Sequence, residues 1–82
     1  MTPGELRKSK ITYEIEGQNH AGWWERIYTS TISYLAGYEF HKRFVSMCCN
    51  PDSKFDRMQL VKYDEKENYE GKVLLFRDRV VL

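Results

Sequence analysis

The segment STISYLAGYEFHKRFVSMCCN, residues 30–50, decides the fold because it has the apolar period of one amphipathic helix. Its apolar residues recur at intervals of three and four and form a stripe that faces a core. The members of the stripe are Ile32, Leu35, Ala36, Phe40, Phe44, Met47 and Cys48. Hydroxyl groups that can cap the first turn belong to Ser30, Thr31 and Ser33. Asn50 is expected to end the helix because it precedes Pro51, and Gly37 is expected to allow a close approach to a sheet.

Two strands are predicted before the helix. Lys10–Glu16 alternates polar residues with Ile11, Tyr13 and Ile15. Trp23–Thr29 is the second strand, and a glycine-bounded loop over residues 17–22 joins the two. One face of the second strand holds Trp23, Glu25, Ile27 and Thr29, and the other holds Trp24, Arg26 and Tyr28. Because neighbouring strand residues point to opposite faces, at least one of the two tryptophans is expected outside the core or at an interface.

Two more strands are predicted after the helix. Phe55–Tyr63 is the first of them, and Lys72–Leu82 is the second, or two short strands broken near Asp78. In the last segment one parity holds Leu74, Phe76, Val80 and Leu82, and the other holds Arg77 and Arg79. The aromatic residues whose spacing predicts a place in the core are Tyr13, Phe40, Phe44 and Phe76.

The predicted elements follow the order strand, strand, helix, strand, strand. We therefore expect an α+β fold (ββαββ), with a single four-stranded or five-stranded, largely antiparallel sheet packed on one α-helix. Residues 10–82 would form this single domain, and residues 1–9 a flexible N-terminal arm. The order resembles that of the β-grasp fold of ubiquitin-like and immunoglobulin-binding domains. The final residues, Val80-Val81-Leu82, are not the diglycine tail of a ubiquitin, so the resemblance implies a fold and no conjugation chemistry.

The composition is that of a small globular domain. The 82 residues are 30% charged and carry a formal net charge of +1, which excludes a polybasic nucleic-acid arm and an acidic DNA mimic. Neither a secretory signal nor an apolar run long enough to cross a bilayer is found in the sequence. The adjacent Cys48 and Cys49 are expected to be two reduced thiols, which favours a cytoplasmic protein with no membrane partner.

Few residues have the spacing that catalysis or metal binding requires. His41 and Cys48 are the best nucleophile and base pair, but on a helix they are separated by about 10 Å of rise. Adjacent cysteines are poorly placed to bind one tetrahedral metal ion together. The segment before the helix has no glycine-rich phosphate loop. The sequence therefore predicts no enzyme, no cofactor and no metal site.

Aromatic and arginine residues are the remaining candidates for function, because aromatic residues make up 15% of the chain. Tryptophan, tyrosine and arginine dominate the binding energy of protein interfaces. The candidate binding residues are Trp23, Trp24, Arg26, Tyr28, Arg77 and Arg79. They favour a small protein-binding module, which could also bury its aromatic surface in a homodimer. Single-stranded nucleic acid is the alternative partner, because aromatic and cationic side chains on an open sheet can bind it.

A compact, aromatic-rich chain without catalytic motifs resembles the small accessory proteins of phages and mobile elements, including anti-CRISPR and other anti-defence inhibitors. Size and architecture carry this resemblance. It implies inhibition by occlusion, in which the chain covers a functional surface of its target. It assigns no role to any single residue.

Overall fold

One helix packs on one face of a four-stranded sheet, and the computed structural model describes residues 10–80 of this arrangement. The elements are β1 (Ile11–Asn19), β2 (Trp24–Ser30), α1 (Ser33–Cys49), β3 (Phe55–Asp64) and β4 (Gly71–Asp78), with a short 3-10 turn at Glu65–Glu67. This order confirms the predicted α+β fold. The predicted N-terminal arm, residues 1–9, lies outside the described residues.

The strands of the sheet follow the order β2-β1-β3-β4, and every neighbouring pair is antiparallel. Helix α1 packs on β1, β2 and β3. The core cluster between helix and sheet consists of Ile15, Ala36, Phe40, Met47, Phe55, Met58 and Leu60. Of the four aromatic residues predicted for the core, Phe40 is buried, and Tyr13 and Phe44 pack against the cluster.

The hairpin between β1 and β2 is tighter than its sequence indicates. Strand β1 continues to Asn19, three residues beyond the predicted end at Glu16. The Asn19 side chain accepts hydrogen bonds from the backbone N–H groups of Ala21 and Trp23, at 3.0 and 3.1 Å. Gly22 adopts a φ of 89°, which glycine accepts without steric cost. Trp23 therefore belongs to the turn, and β2 begins at Trp24.

Both edge strands contain one extra residue relative to their neighbours. Tyr28 lies opposite Ile15 but Arg26 lies opposite Glu16, so Ile27 is a bulge. The alternation predicted for β2 is therefore wrong at this point, because a bulge reverses the faces of the residues that follow it. In β4, Leu74 is the corresponding extra residue.

The two ends of α1 differ in how closely they follow the sequence signals. The helix begins at Ser33, and its N-cap residue, Ile32, provides no side-chain hydrogen bond. The Ser30 hydroxyl accepts instead from the Ile32 N–H, so the predicted hydroxyl cap is wrong. The end is as expected, because Asn50 is extended and Pro51 follows. Among residues 10–80 no helix has the length and apolarity that crossing a bilayer requires.

Two glycines have opposite surroundings. A Cβ atom at Gly17 would lie 2.6–2.9 Å from ring atoms of the buried Phe55, so the absent side chain lets this ring pack on β1. A Cβ atom at Gly37 would meet nothing within 4 Å. The expectation that Gly37 permits a close approach to the sheet is therefore wrong, and Gly17 has that role instead.

We predict that Gly17→Ala destabilises the fold by about 1–3 kcal/mol through overpacking against Phe55. The matched control, Gly37→Ala, is expected to stabilise it by roughly 0.5–1 kcal/mol, because alanine favours helical backbone. Urea unfolding of both variants measures the two free energies. The penalty at Gly17 should shrink in a Phe55→Leu background, and a penalty unchanged there would contradict the proposed contact.

Candidate functional site

The sheet face turned away from α1, called the open face below, carries the candidate site. Cross-strand pairing arranges its side chains in rows that run from β2 through β1 and β3 to β4. Three rows are defined by the register: Trp24–Gln18–Arg57–Asp78, Arg26–Glu16–Gln59–Phe76, and Thr29–Glu14–Val61–Val73.

Two aromatic rings from opposite edges of the sheet meet on the open face. Trp24 on β2 and Phe76 on β4 have ring centroids 6.2 Å apart and an interplanar angle of 61°, an edge-to-face contact. The two residues remain 38% and 44% exposed, respectively. Trp23, in the adjacent turn, is 72% exposed. Trp24 and Phe76, called the aromatic pair below, therefore form an accessible apolar surface above the inner strands.

Polar side chains fix the surface beside the aromatic pair. The Arg57 guanidinium donates to Gln18 Oε1 at 2.8 Å and to Asp78 Oδ1 at 2.9 Å. Arg57 thus joins three strands, because Gln18 lies on β1 and Asp78 on β4. Planar guanidinium groups hold carboxylate and amide oxygens in defined directions. The row below Trp24 is consequently held in place by hydrogen bonds.

Carboxylates occupy the centre of the open face. Gln59 and the Tyr63 hydroxyl donate to Glu16, at 2.6 and 3.3 Å. Arg26 forms an ion pair with Glu14 at 3.3 Å. Burial raises the pKa of Tyr63, and the negative charges of Glu16 and Glu14 raise it further. The centre of the face therefore favours neutral or cationic groups.

Only part of the sequence-predicted set lies on the open face. Trp24 and Arg26 are there, and Trp23 lies beside them in the turn. Tyr28 is on the opposite face, where it packs against the core cluster, and the Arg43 guanidinium lies 5.1 Å from its ring centroid. The predicted Trp24–Arg26–Tyr28 platform therefore does not form, because the bulge at Ile27 places Tyr28 on the other face of the sheet.

The two C-terminal arginines, Arg77 and Arg79, were predicted to join the aromatic surface, but neither lies on the open face. Arg77 lies opposite the buried Met58, on the helix side of β4, and donates to the carbonyl of Phe76 at 2.9 Å. Arg79 follows the strand and donates to the carbonyl of Asn50 at the end of α1. Both side chains therefore donate hydrogen bonds to backbone carbonyls, one in β4 and one at the end of α1.

Sequence reasoning placed Phe76 in the core, whereas the structure places it on the open face beside Trp24. Its parity with Leu74 and Val80 favoured the core, but the bulge at Leu74 breaks that parity. The signal for the correct assignment was Asp78, which shares a face with Phe76 and is charged. Arg57 and Gln18 were also missed, because their role depends on the pairing of strands distant in sequence.

The thiols and histidines form no comparable site. Cys48 is half-buried, and its Sγ atom accepts from the Val80 N–H at 3.4 Å, whereas Cys49 is exposed. Within residues 10–80 no cluster of three histidine, cysteine, aspartate or glutamate side chains is arranged to hold a metal ion.

Comparison with known proteins assigns no family. The chain matches no protein-family model, no curated protein and no solved structure. The interpretation of the site therefore depends on its geometry.

We predict that Tyr63 makes the protein sensitive to alkaline pH. A raised pKa means that the folded state favours the neutral phenol, so this contribution is complete below the ordinary tyrosine pKa of about 10. It is lost as the pH rises toward the higher folded pKa. Tyr63→Phe should therefore lose less thermal stability than the wild type between about pH 9 and pH 11. Equal losses in melting curves of the two proteins would contradict the prediction.

Proposed function

We propose that this chain is a small non-enzymatic protein-binding module that contacts its partner through the aromatic pair. The observation that carries the proposal is the contact of Trp24 with Phe76, in which both rings remain accessible to a partner. Tryptophan is enriched among the residues that dominate interface affinity. Trp23 extends the apolar area at the end of the open face.

Preorganisation of the surface supports this proposal. Trp24 is held by Phe76, and Arg57 is held by Gln18 and Asp78. Side chains that are already ordered lose little conformational entropy when a partner binds. An apolar centre with a polar margin is also the usual anatomy of a protein interface.

Charge on the open face favours a protein over a nucleic acid. The open face carries one excess negative charge. Its charged side chains are two arginines and three carboxylates: Arg26, Arg57, Glu14, Glu16 and Asp78. Nucleic-acid affinity depends strongly on cations that neutralise phosphates. Carboxylates at the centre of the face would repel a phosphate backbone. Single-stranded nucleic acid is therefore the weaker candidate.

The mode of action that we propose is inhibition or adaptation by occlusion. A domain that acts without catalytic chemistry affects a target by covering it or by joining it to another protein. This matches the phage accessory and anti-defence inhibitors that the chain resembles in size and architecture. The partner would then be a larger protein whose functional surface is covered by the open face.

Trp24→Ala is predicted to weaken partner binding at least tenfold, because it removes one ring of the aromatic pair and frees the other. The matched control is Tyr34→Ala, which removes an aromatic side chain that is 75% exposed on α1, away from the open face. The partner is first captured with the wild type and purified, and the affinities of the three proteins are measured by calorimetry.

Two results would contradict the proposal. The first is equal affinity of the Trp24→Ala variant and the wild type for the purified partner. The second is binding of single-stranded DNA or RNA that Trp24→Ala abolishes, measured by fluorescence anisotropy at low salt, without any protein partner. Circular dichroism of both variants shows whether the fold is retained.

A further inference from the structure

Among residues 10–80, β4 is an edge strand that pairs with β3 alone, and it carries exposed apolar side chains. Val73, Leu74 and Phe76 are 51%, 42% and 44% exposed. Helix α1 packs on the other three strands. Edge strands of monomeric proteins usually carry charges or prolines that prevent pairing with another chain. The charges of β4 lie toward its ends, at Lys72, Arg77 and Asp78, and the segment Val73–Phe76 between them contains neither charges nor prolines.

The backbone of β4 presents hydrogen-bonding groups away from the sheet. The Arg79 N–H donates to the Asp56 carbonyl on β3 at 2.9 Å. Successive residues of an extended chain point their backbone groups in opposite directions, so every second residue points the same way. The backbone N–H and C=O groups of Arg77 and Leu75 therefore also point toward β3, and those of Phe76 and Asp78 point away from the sheet. The contact of the Arg77 side chain with the Phe76 carbonyl agrees with this direction.

We propose that β4 pairs antiparallel with β4 of a second copy, around a two-fold axis at Phe76. The outward N–H and C=O groups of the two Phe76 residues would exchange a pair of hydrogen bonds, and the Arg77 guanidinium that donates to this carbonyl at 2.9 Å would share or release it. The two four-stranded sheets would join into one sheet of eight strands. This inference does not rest on the proposed function, although both use Phe76: the mass of the wild-type protein tests the dimer, whereas the partner affinity of Trp24→Ala tests the proposed function.

The register follows from faces and charges. A two-fold axis perpendicular to the sheet keeps both open faces on one side, so residues opposite one another must share a face. An axis at Leu75 would oppose Arg77 to Val73, which lie on different faces because of the bulge. An axis at Arg77 would oppose two guanidinium groups. The axis at Phe76 avoids both conflicts over Leu74–Asp78, where Arg77 opposes Leu75 and Asp78 opposes Leu74, and the pairing ends there because Val73 and Arg79 lie on different faces.

The contacts at this register favour a second copy over an unrelated strand. Each Phe76 would face its own counterpart on the open face and bring the two aromatic pairs together into a cluster of four rings. Aromatic cross-strand pairs stabilise antiparallel sheets. Asp78 would lie beside Leu74 of the other copy, so like charges are not opposed. The net charge of +1 per copy also produces little repulsion between copies.

The test compares Leu74→Asp with Leu74→Lys, two variants that place one charge at the same exposed position. In the proposed register an aspartate at position 74 would face Asp78 of the second copy and repel it. A lysine at the same position would face the same carboxylate and attract it. Sedimentation equilibrium should show a wild-type mass of twice 9.8 kDa. We expect Leu74→Asp to raise the dimer dissociation constant at least tenfold and Leu74→Lys to leave it within about threefold.

A disulfide test checks the axis. In a Cys48→Ser, Cys49→Ser background, Phe76→Cys should form a covalent dimer in a thiol redox buffer, because paired residues at the axis have Cα atoms about 5.5 Å apart. Tyr34→Cys is the exposed control; it should keep the non-covalent dimer and form no covalent one. A wild type that is monomeric at millimolar concentration overturns the proposal. Equal weakening by both Leu74 variants, with folding confirmed by circular dichroism, or failure of Phe76→Cys to cross-link overturns the register.

Discussion

The width of a single helix is the constraint on which the rest of this structure depends. An α-helix with its side chains is about 10–12 Å wide, whereas the outer strands of a four-stranded sheet are about 14 Å apart. Helix α1 therefore covers β1, β2 and β3 and leaves β4 at the margin. The opposite face has no second layer in the described residues. At this margin the helix-side residues Lys72 and Arg77 are charged and exposed, whereas Val73 and Phe76 are exposed because they lie on the open face, which α1 does not cover.

Cross-strand polar contacts take the place of a second layer over the inner strands. Val61 lies on the open face, between Glu14 and Val73, and is only 3% exposed. Among residues 10–80, no buried side-chain nitrogen or oxygen lacks a hydrogen-bond partner. The open face is consequently ordered without being covered, and this combination suits a surface that binds another molecule.

Sequence periodicity predicted the elements well and the faces of the edge strands poorly. The order of elements, strand β3 and the end of α1 before Pro51 depend on local signals, and all three agree with the structure. The faces of Tyr28 and Phe76 depend on bulges at Ile27 and Leu74. A bulge is a property of two paired strands, so the alternation within one strand contains no sign of it. The candidate site was therefore only partly predicted: Trp24 and Arg26 were correctly grouped, and Phe76 was assigned to the core.

The bulges also bear on how the sequence can change over evolutionary time. On each side of an extra residue the strand keeps its pairing with its neighbour, so a single-codon deletion at that point would restore regular pairing without moving either flank. Leu74 is exposed, whereas Ile27 packs against the core cluster, so the loss of Leu74 would cost less packing. Alignments of divergent homologues should therefore allow a one-residue gap within β4, a place where gaps are ordinarily penalised.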